Sequence, residues 1–285
     1  MKLAAVTMAY NEPIYAPIWL RHYARQVGAA HCYVIDHGSD DGSLDTLGVT
    51  SVLRLPRSPQ DDPRRARFLS GFCAALLQWY DAVLYADIDE LLVADPAQHR
   101  DLAAYAASMP AEVITAIGLD VQHLPGEEAG FDPVRSVGEQ RRWARFNSAM
   151  CKPALIRRPV AWAPGFHCAD VPPVFDRLYL FHLRYFDLGL GLARLAKTRA
   201  MPWAVPGAGS HQRMDDAAWS AMVRAIAGLP RLAGVPFDPA LPPIAVCLDA
   251  LRASMAGREG QTYRYDLNIS PDALWEIPAR FRTAV

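Results

Sequence analysis

No apolar run in this sequence approaches the roughly 20 residues that a bilayer-crossing helix needs, so no transmembrane segment is expected. An excess of charge of either sign is also missing: 29 Lys and Arg stand against 30 Asp and Glu, a formal net charge of −1. Nucleic acid is therefore not an expected partner, because backbone binding draws on a basic surface. Any phosphate bound here must be held by a metal or by a few placed groups. Cysteine is sparse. The five residues Cys32, Cys73, Cys151, Cys168 and Cys247 include no C-x-x-C pair, which argues against a zinc ribbon or a disulfide framework and for buried thiols in a reducing compartment. Internal repeats and low-complexity linkers are lacking too. The opening MKLAAVTMAYNE has a Lys before apolar residues, but the apolar stretch is too short for a secretory leader and lacks a cleavage site. A cytoplasmic protein is expected, one that reaches the inner membrane only through its acceptor.

What is present is enough for a large core: 285 residues, 52% of them apolar, the makings of an α/β domain. Leu3 to Ala9 reads as a buried strand. Pro13 opens a helix to Val27 with Trp19, Leu20, Tyr23 and Val27 at three- and four-residue spacing and Gly28 as its stop. Strands follow at His31–Ile35, Ser51–Leu55 and Ala82–Ala86. Between them lie a short helix around Leu44–Leu47 and a clear one capped by Asp62, with Pro63 in its first turn and Phe68, Leu69, Phe72, Cys73, Leu76 and Leu77 on one face. This alternation implies a mostly parallel sheet flanked by helices, whose ligands sit at the carboxyl ends of the strands. The second half is less regular. Strands are expected at Glu112–Leu119 and Leu178–Leu183, with strand pieces between Arg142 and Ile156. Helices are expected at Leu188–Ala200 and after Asp215.

The polar motifs fall at those carboxyl ends. An apolar strand delivers Asp87-Ile88-Asp89-Glu90, where residues two apart on an extended segment share a side. Asp87 and Asp89 can thus converge, with Ile88 turned into the core. Two close carboxylates need a cation between them, and Mg²⁺ or Mn²⁺ completed by substrate phosphates suits oxygen ligands. The plainer reading is a solvated acidic turn. Asn11 and Glu12 end the first strand, and Asp36 opens the loop DHGSDDGS after the second. Each alone is better read as a helix cap or an Asx-rich turn.

In order, these motifs resemble the family 2 glycosyltransferases of the GT-A fold and are most similar to the family-92-like branch. The resemblance is carried by IYAPIWLRHYARQVGAAHCYVIDHGSDDGS and YADIDELLV, spans Val6 to Val93, and continues in CKPALIRRPV followed by His167. It implies a GT-A (Rossmann-like) domain with a less regular acceptor-side C-terminal half. Residues 1–110 would be the nucleotide-sugar-binding half, 111–210 the acceptor-side half, and 211–285 a helical extension. It also implies a metal-dependent, inverting transfer from a nucleotide-sugar, a UDP- or GDP-sugar, to a glycan, lipid-linked or other hydroxyl acceptor. At matching positions Tyr10, Asn11 and Glu12 would border the nucleoside, and Asp36 the base or ribose. Asp87 and Asp89 would hold Mn²⁺ or Mg²⁺, with His167 as third ligand.

Other roles rest on chemistry. Arg64 or Arg67 could approach the donor, although a solvated helix turn explains both. Lys152, in a basic island with Arg157 and Arg158, could meet the diphosphate. His182, in LYLFHLRYF, reads as a hydrogen-bonded core residue. For the base that takes the acceptor's proton, Asp120 at the end of a strand is the first choice and Asp170 the second. Gln140-Arg141-Arg142-Trp143 has the wrong spacing for the family's Q-x-x-R-W motif and receives no role. Trp143, Trp162, Phe166, Tyr179, Tyr185, Phe186 and Trp203 could supply a sugar platform, with core packing the plainer account. Two alternatives stand: a nucleotidyltransferase, disfavoured by AYNEPIY where a Gly-rich basic loop belongs, and a non-catalytic nucleotide-sugar binder.

Overall fold

A computed structural model of the chain describes residues 1–45, 47, 51–259 and 262–285. Among them the strands are β1 Leu3–Ala9, β2 Cys32–Asp36, β3 Ser51–Arg54, β4 Ala82–Tyr85, β5 Glu90–Ala94, β6 Val113–Gln122, β7 Trp143–Phe146, β8 Pro153–Ile156, β9 Phe175–Tyr185, β10 Arg231–Leu232, β11 Ala256–Glu259, β12 Thr262–Arg264 and β13 Leu274–Glu276. The helices are α1 Tyr15–Val27, α2 Asp62–Leu76, α3 Leu102–Ser108, α4 Val137–Gln140, α5 Leu188–Ala200, α6 Asp216–Ala227, α7 Ile244–Ala253 and α8 Ala279–Arg282. The helix expected around Leu44–Leu47 lies partly outside the described residues.

The main sheet runs β10-β13-β7-β6-β8-β4-β1-β2-β3, with β9 paired to both β5 and β6. It is mixed, and this corrects the mostly parallel expectation. The β3-β2-β1-β4 portion is parallel, as the alternation of strand and helix requires. Beyond it β8 runs antiparallel to β4 and β6, and β7 antiparallel to β6.

The apolar runs of β1 and β4 are continuous because both faces of the sheet are covered. Leu3, Ala5 and Ala9 join Leu84 and Ala86 in the core beneath α1, where Trp19 and Tyr23 are fully buried. Ala4, Val6, Val83 and Tyr85 face the opposite core with Leu69 and Cys73 of α2. Burying one such aromatic contributes about 2–3 kcal/mol. Gly28 ends α1 at a φ of 88°, donating its N–H to the Ala24 carbonyl at 3.0 Å. The cap of α2 is Asp61, not Asp62: its carboxylate accepts from the Arg64 N–H at 2.9 Å.

Residues 211–285 hold more than helices. Within this stretch β13 and β10 extend the main sheet, and Trp275 and Phe281 are fully buried in the larger core. The segment after α5 also returns to the first half, where Gln60 pairs with it through two backbone bonds, to the Pro202 carbonyl at 2.8 Å and from the Ala204 N–H at 2.9 Å. No helix of the described residues is long and apolar enough to cross a membrane.

Candidate functional site

One cleft of about 310 Å³ opens at the carboxyl ends of β1 and β4. Its lining includes Tyr10 and Glu12 after β1, Asp87, Asp89 and Glu90 after β4, and His182 of β9. Its cationic side chains include Arg65 of α2, Lys152 before β8, Arg184 of β9, and Arg194 and Lys197 of α5.

The acidic motif is a turn rather than an extended segment. Ile88 is buried in the core as expected, but the two aspartates serve different cations. Asp87 accepts from Arg65, from the Tyr85 hydroxyl at 2.5 Å and from Lys152 Nζ at 2.9 Å. Burial pushes its carboxyl up, and Arg65 and Lys152 more than offset this, holding it well below the usual carboxylate range. Asp89 accepts from Arg194 and lies 3.4 Å from His182 Nε2. Here too burial is outweighed, chiefly by Arg194, and the carboxyl is held well below its ordinary value. Glu90 accepts from Lys152 at 2.5 Å and from the Asp87 N–H at 2.9 Å. The α1 residue Tyr23 anchors this turn, donating to the Glu90 carbonyl at 3.0 Å and accepting from the Leu92 N–H at 2.9 Å.

Register explains the next pair. Strand β9 lies between β5 and β6 with His182 opposite both Glu90 and Asp120, so the imidazole and the Asp120 carboxylate share a row. His182 Nδ1 is 2.6 Å from Asp120 Oδ1, and Asn147 donates to Asp120 Oδ2 at 2.8 Å. Burial pulls the imidazole down, but Asp120 and Asp89 prevail and raise it to about 9. At neutral pH His182 is an imidazolium.

On the first strand's side, Lys197 donates to the Tyr10 carbonyl at 3.0 Å, the Asn11 carbonyl at 2.8 Å and Glu12 Oε1 at 2.6 Å. Burial lowers its ammonium from the ordinary value despite Glu12. Arg194 Nη2 reaches the same Glu12 oxygen at 3.2 Å and lies over the Tyr15 ring at 4.5 Å. Tyr10 is covered by Arg57, 3.9 Å from its ring centre, and Arg57 also reaches His37 Nδ1 at 2.9 Å.

Several expected residues stand elsewhere. Asn11 takes a φ of 51° and bonds Asp40 at 2.7 Å, away from the cleft lining. Asp36 is fully buried, spent on Arg54 at 2.7 Å and the Ser39 N–H at 2.7 Å. Arg64 and Arg67 are exposed on α2 and do not line the cleft; one residue from Arg64, Arg65 turns onto Asp87 instead. Asp120 is not in the cleft lining, and its two oxygens meet His182 and Asn147. Asp170 accepts from the Ala161 N–H at 2.9 Å in a separate loop and is also outside that lining. His167 lines the cleft but turns Nδ1 to the Ala149 carbonyl. Burial, aided by Lys152, lowers this imidazole to about 3. Of the aromatic set, only Tyr185 borders the cleft. It stacks on Trp219, centroids 5.1 Å apart at 23°, while Trp162, Phe166, Tyr179 and Phe186 are core residues. Gln140–Trp143 stays outside the lining, and Arg141 is buried against Asp187 at 3.1 Å.

Sequence reasoning missed Arg65, Arg194 and Lys197. Charges on amphipathic helices look like solvated faces, and the one available signal was the i, i+3 spacing that sets Arg194 and Lys197 on a common side of α5.

A divalent ion does not fit this arrangement. Among the described residues no three His, Cys, Asp or Glu side chains gather as a metal-holding group. The carboxylates expected to bind Mn²⁺ or Mg²⁺ are already engaged by side-chain cations.

No family model matches the chain, and no curated protein matches it. Among solved structures, one titled "Crystal structure of 4-diphosphocytidyl-2C-methyl-D-erythritol synthase" is similar at 16% identity and a TM-score of 0.31, over 55% of this chain and 75% of that one. That likeness is too slight to bear on function. The chain is an α/β protein with a mixed sheet flanked by helices and a charged cleft at the carboxyl ends of its parallel strands.

Proposed function

We propose that the chain is a glycosyltransferase of the GT-A type that moves a sugar from a UDP- or GDP-sugar to a hydroxyl of a glycan, lipid-linked or other acceptor, with inversion. The observation that carries this reading is the meeting, in one cleft, of Tyr10 and Glu12 from the first strand with Asp87 and Asp89 from the fourth and Lys152 beside them. The resemblance to family 2 and family-92-like enzymes assigns Tyr10 and Glu12 to the nucleoside and Asp87 and Asp89 to the ribose and metal, and Lys152 joins them on its chemistry. Ligands of such sheets bind at this edge.

Roles follow from the surroundings of each group. Tyr10 and Glu12 border the nucleoside. The ammonium of Lys152, raised above its ordinary value because Asp87 and Glu90 outweigh its burial, faces the charge that develops on the departing diphosphate. The His182 imidazolium adds a second fixed positive charge, with Asp120 as a positioning residue that sets its ring. Tyr185 stacked on Trp219 offers an apolar wall against which a sugar face can lie.

The test is to incubate the protein with a panel of nucleotide-sugars and candidate acceptors and to measure nucleoside diphosphate release and glycosylated product. Acceptor-dependent release from one donor is expected. Pyrophosphate released from a nucleoside triphosphate and a sugar phosphate would establish a nucleotidyltransferase instead. Saturable nucleotide-sugar binding without turnover on any acceptor would establish a binding protein.

A further inference from the structure

We infer that side-chain cations take the place of a divalent ion in this cleft, so that the diphosphate of the donor binds without metal on Arg194 and Lys197 of α5 together with Lys152 and Arg65. This rests on the nucleotide-sugar reading above and departs from it on the metal.

Charge pairing is the first argument. Glu12, Asp87, Asp89 and Glu90 of the cleft are each met by a side-chain cation: Lys197 and Arg194 at Glu12, Arg65 and Lys152 at Asp87, Arg194 at Asp89 and Lys152 at Glu90. A lone pair of aspartates would call for a cation, but these two have theirs. An entering Mn²⁺ would meet Arg194 at Asp89 and both Arg65 and Lys152 at Asp87, so it would have to displace fixed positive charges to reach its ligands.

The second argument is donor capacity. A guanidinium carries five N–H groups in a planar fork and an ammonium carries three. Arg194 uses its fork on Glu12 and Asp89, yet its side chain keeps 22% of its surface exposed, and that of Lys197 keeps 24%. Both line the cleft. Arg194 spends Nε, Nη1 and Nη2 on Glu12 and Asp89, and its five-donor fork keeps N–H groups for phosphate oxygens at charge-assisted distances. The three N–H groups of Lys197 are taken by Tyr10, Asn11 and Glu12, so Lys197 acts on an anion through its charge. The third argument is placement. The contact of Lys197 with the carbonyls of Tyr10 and Asn11 puts its ammonium beside the nucleoside end of the cleft, and Lys152 stands on the acidic turn. A diphosphate running from one to the other passes Arg194.

The experiment is calorimetric titration of the full chain with UDP and with GDP, once in excess EDTA and once in excess Mn²⁺. The expected result is binding in both buffers with dissociation constants within about threefold, and a loss of about tenfold or more in Arg194→Gln and in Lys197→Met. Circular dichroism and melting of each variant establish that it is folded, and Lys197→Arg, which keeps the charge, is expected to recover most of the affinity. Binding that appears only with Mn²⁺ and vanishes in Asp89→Asn would overturn the inference while leaving the glycosyltransferase reading in place. Binding unchanged in both α5 variants would also overturn it. Absence of binding by either nucleotide in both buffers would sink this inference and the nucleotide-sugar reading together.

Discussion

At the scale of single residues the site is a set of paired charges, and pairing dictates how each substitution should read out. Asp120 touches the cleft only through His182. Replacing Asp120 by Asn removes the larger of the hydrogen bonds that raise the imidazole to about 9, so His182 should lose its proton at lower pH. Turnover is expected to drop by about tenfold to a hundredfold with donor affinity little changed, and the alkaline limb of the rate profile should move to lower pH. If Asp120 were itself the base, the acid limb would disappear and the alkaline limb would stay. Histidines also set the acid side of stability. Burial lowers His22 to about 4 and His167 to about 3. Below about pH 6.5 the unfolded chain binds protons at these positions that the native protein refuses, so stability falls as pH drops towards those values. His22 alone gives a slope of about 1.4 kcal/mol per pH unit in that window. His182 works the other way, its contribution being complete below about pH 6.5 and lost as pH rises through about 9. Urea denaturation across the range should show a maximum near neutrality, and His22→Gln should flatten the acid side.

Elements position those residues, and one close approach of backbone to backbone is at Gly118 on β6. A methyl group there would lie 2.7 Å from the Asn147 carbonyl oxygen and still nearer to Met150. Gly118→Ala is expected to cost about 1–3 kcal/mol through overpacking and to push Asn147 off Asp120, seen as a lowered melting temperature together with reduced turnover. The strands that carry the parallel half were legible in the sequence because their apolar runs are long and are separated by periodic helices. Helix α5 was legible despite Gly189 and Gly191, and the structure adds its cap, Asp187, which accepts from the Leu190 N–H at 2.9 Å. What was not legible was short or non-local. Strand β5 follows β4 after only a tight turn, and α3 and α7 have few residues to show a period. The mixed direction of the second half depends on which distant strands pair, as β4 does with β8, and strand composition does not show that. Likewise Asp87, Glu12 and Lys152 could be placed at the cleft from local pattern. The partners Arg65 and Arg194 could not, because the contact between Arg194 and Glu12 spans 182 positions.

For the molecule as a whole, the last residues are structural members. Leu274 and Trp275 of β13 and Phe281 of α8 are fully buried, and β13 bonds to β7, itself beside β6. A chain ended at Asp272 should lose its cooperative unfolding transition and bind a dye that reports exposed apolar surface. Retention of a sharp transition at an unchanged midpoint would show instead that the tail is dispensable.

The reach of Arg194 and Lys197 back to Glu12 and Asp89 also has a consequence in time. As the polypeptide leaves the ribosome, the opening strands emerge long before α5 does. Until that helix arrives, Glu12 and Asp89 lack these counter-charges and stay hydrated, since burying an uncompensated carboxylate is costly. The nascent β-α-β layers can therefore assemble early, whereas the cleft end of the sheet stays hydrated and closes only after α5 has emerged.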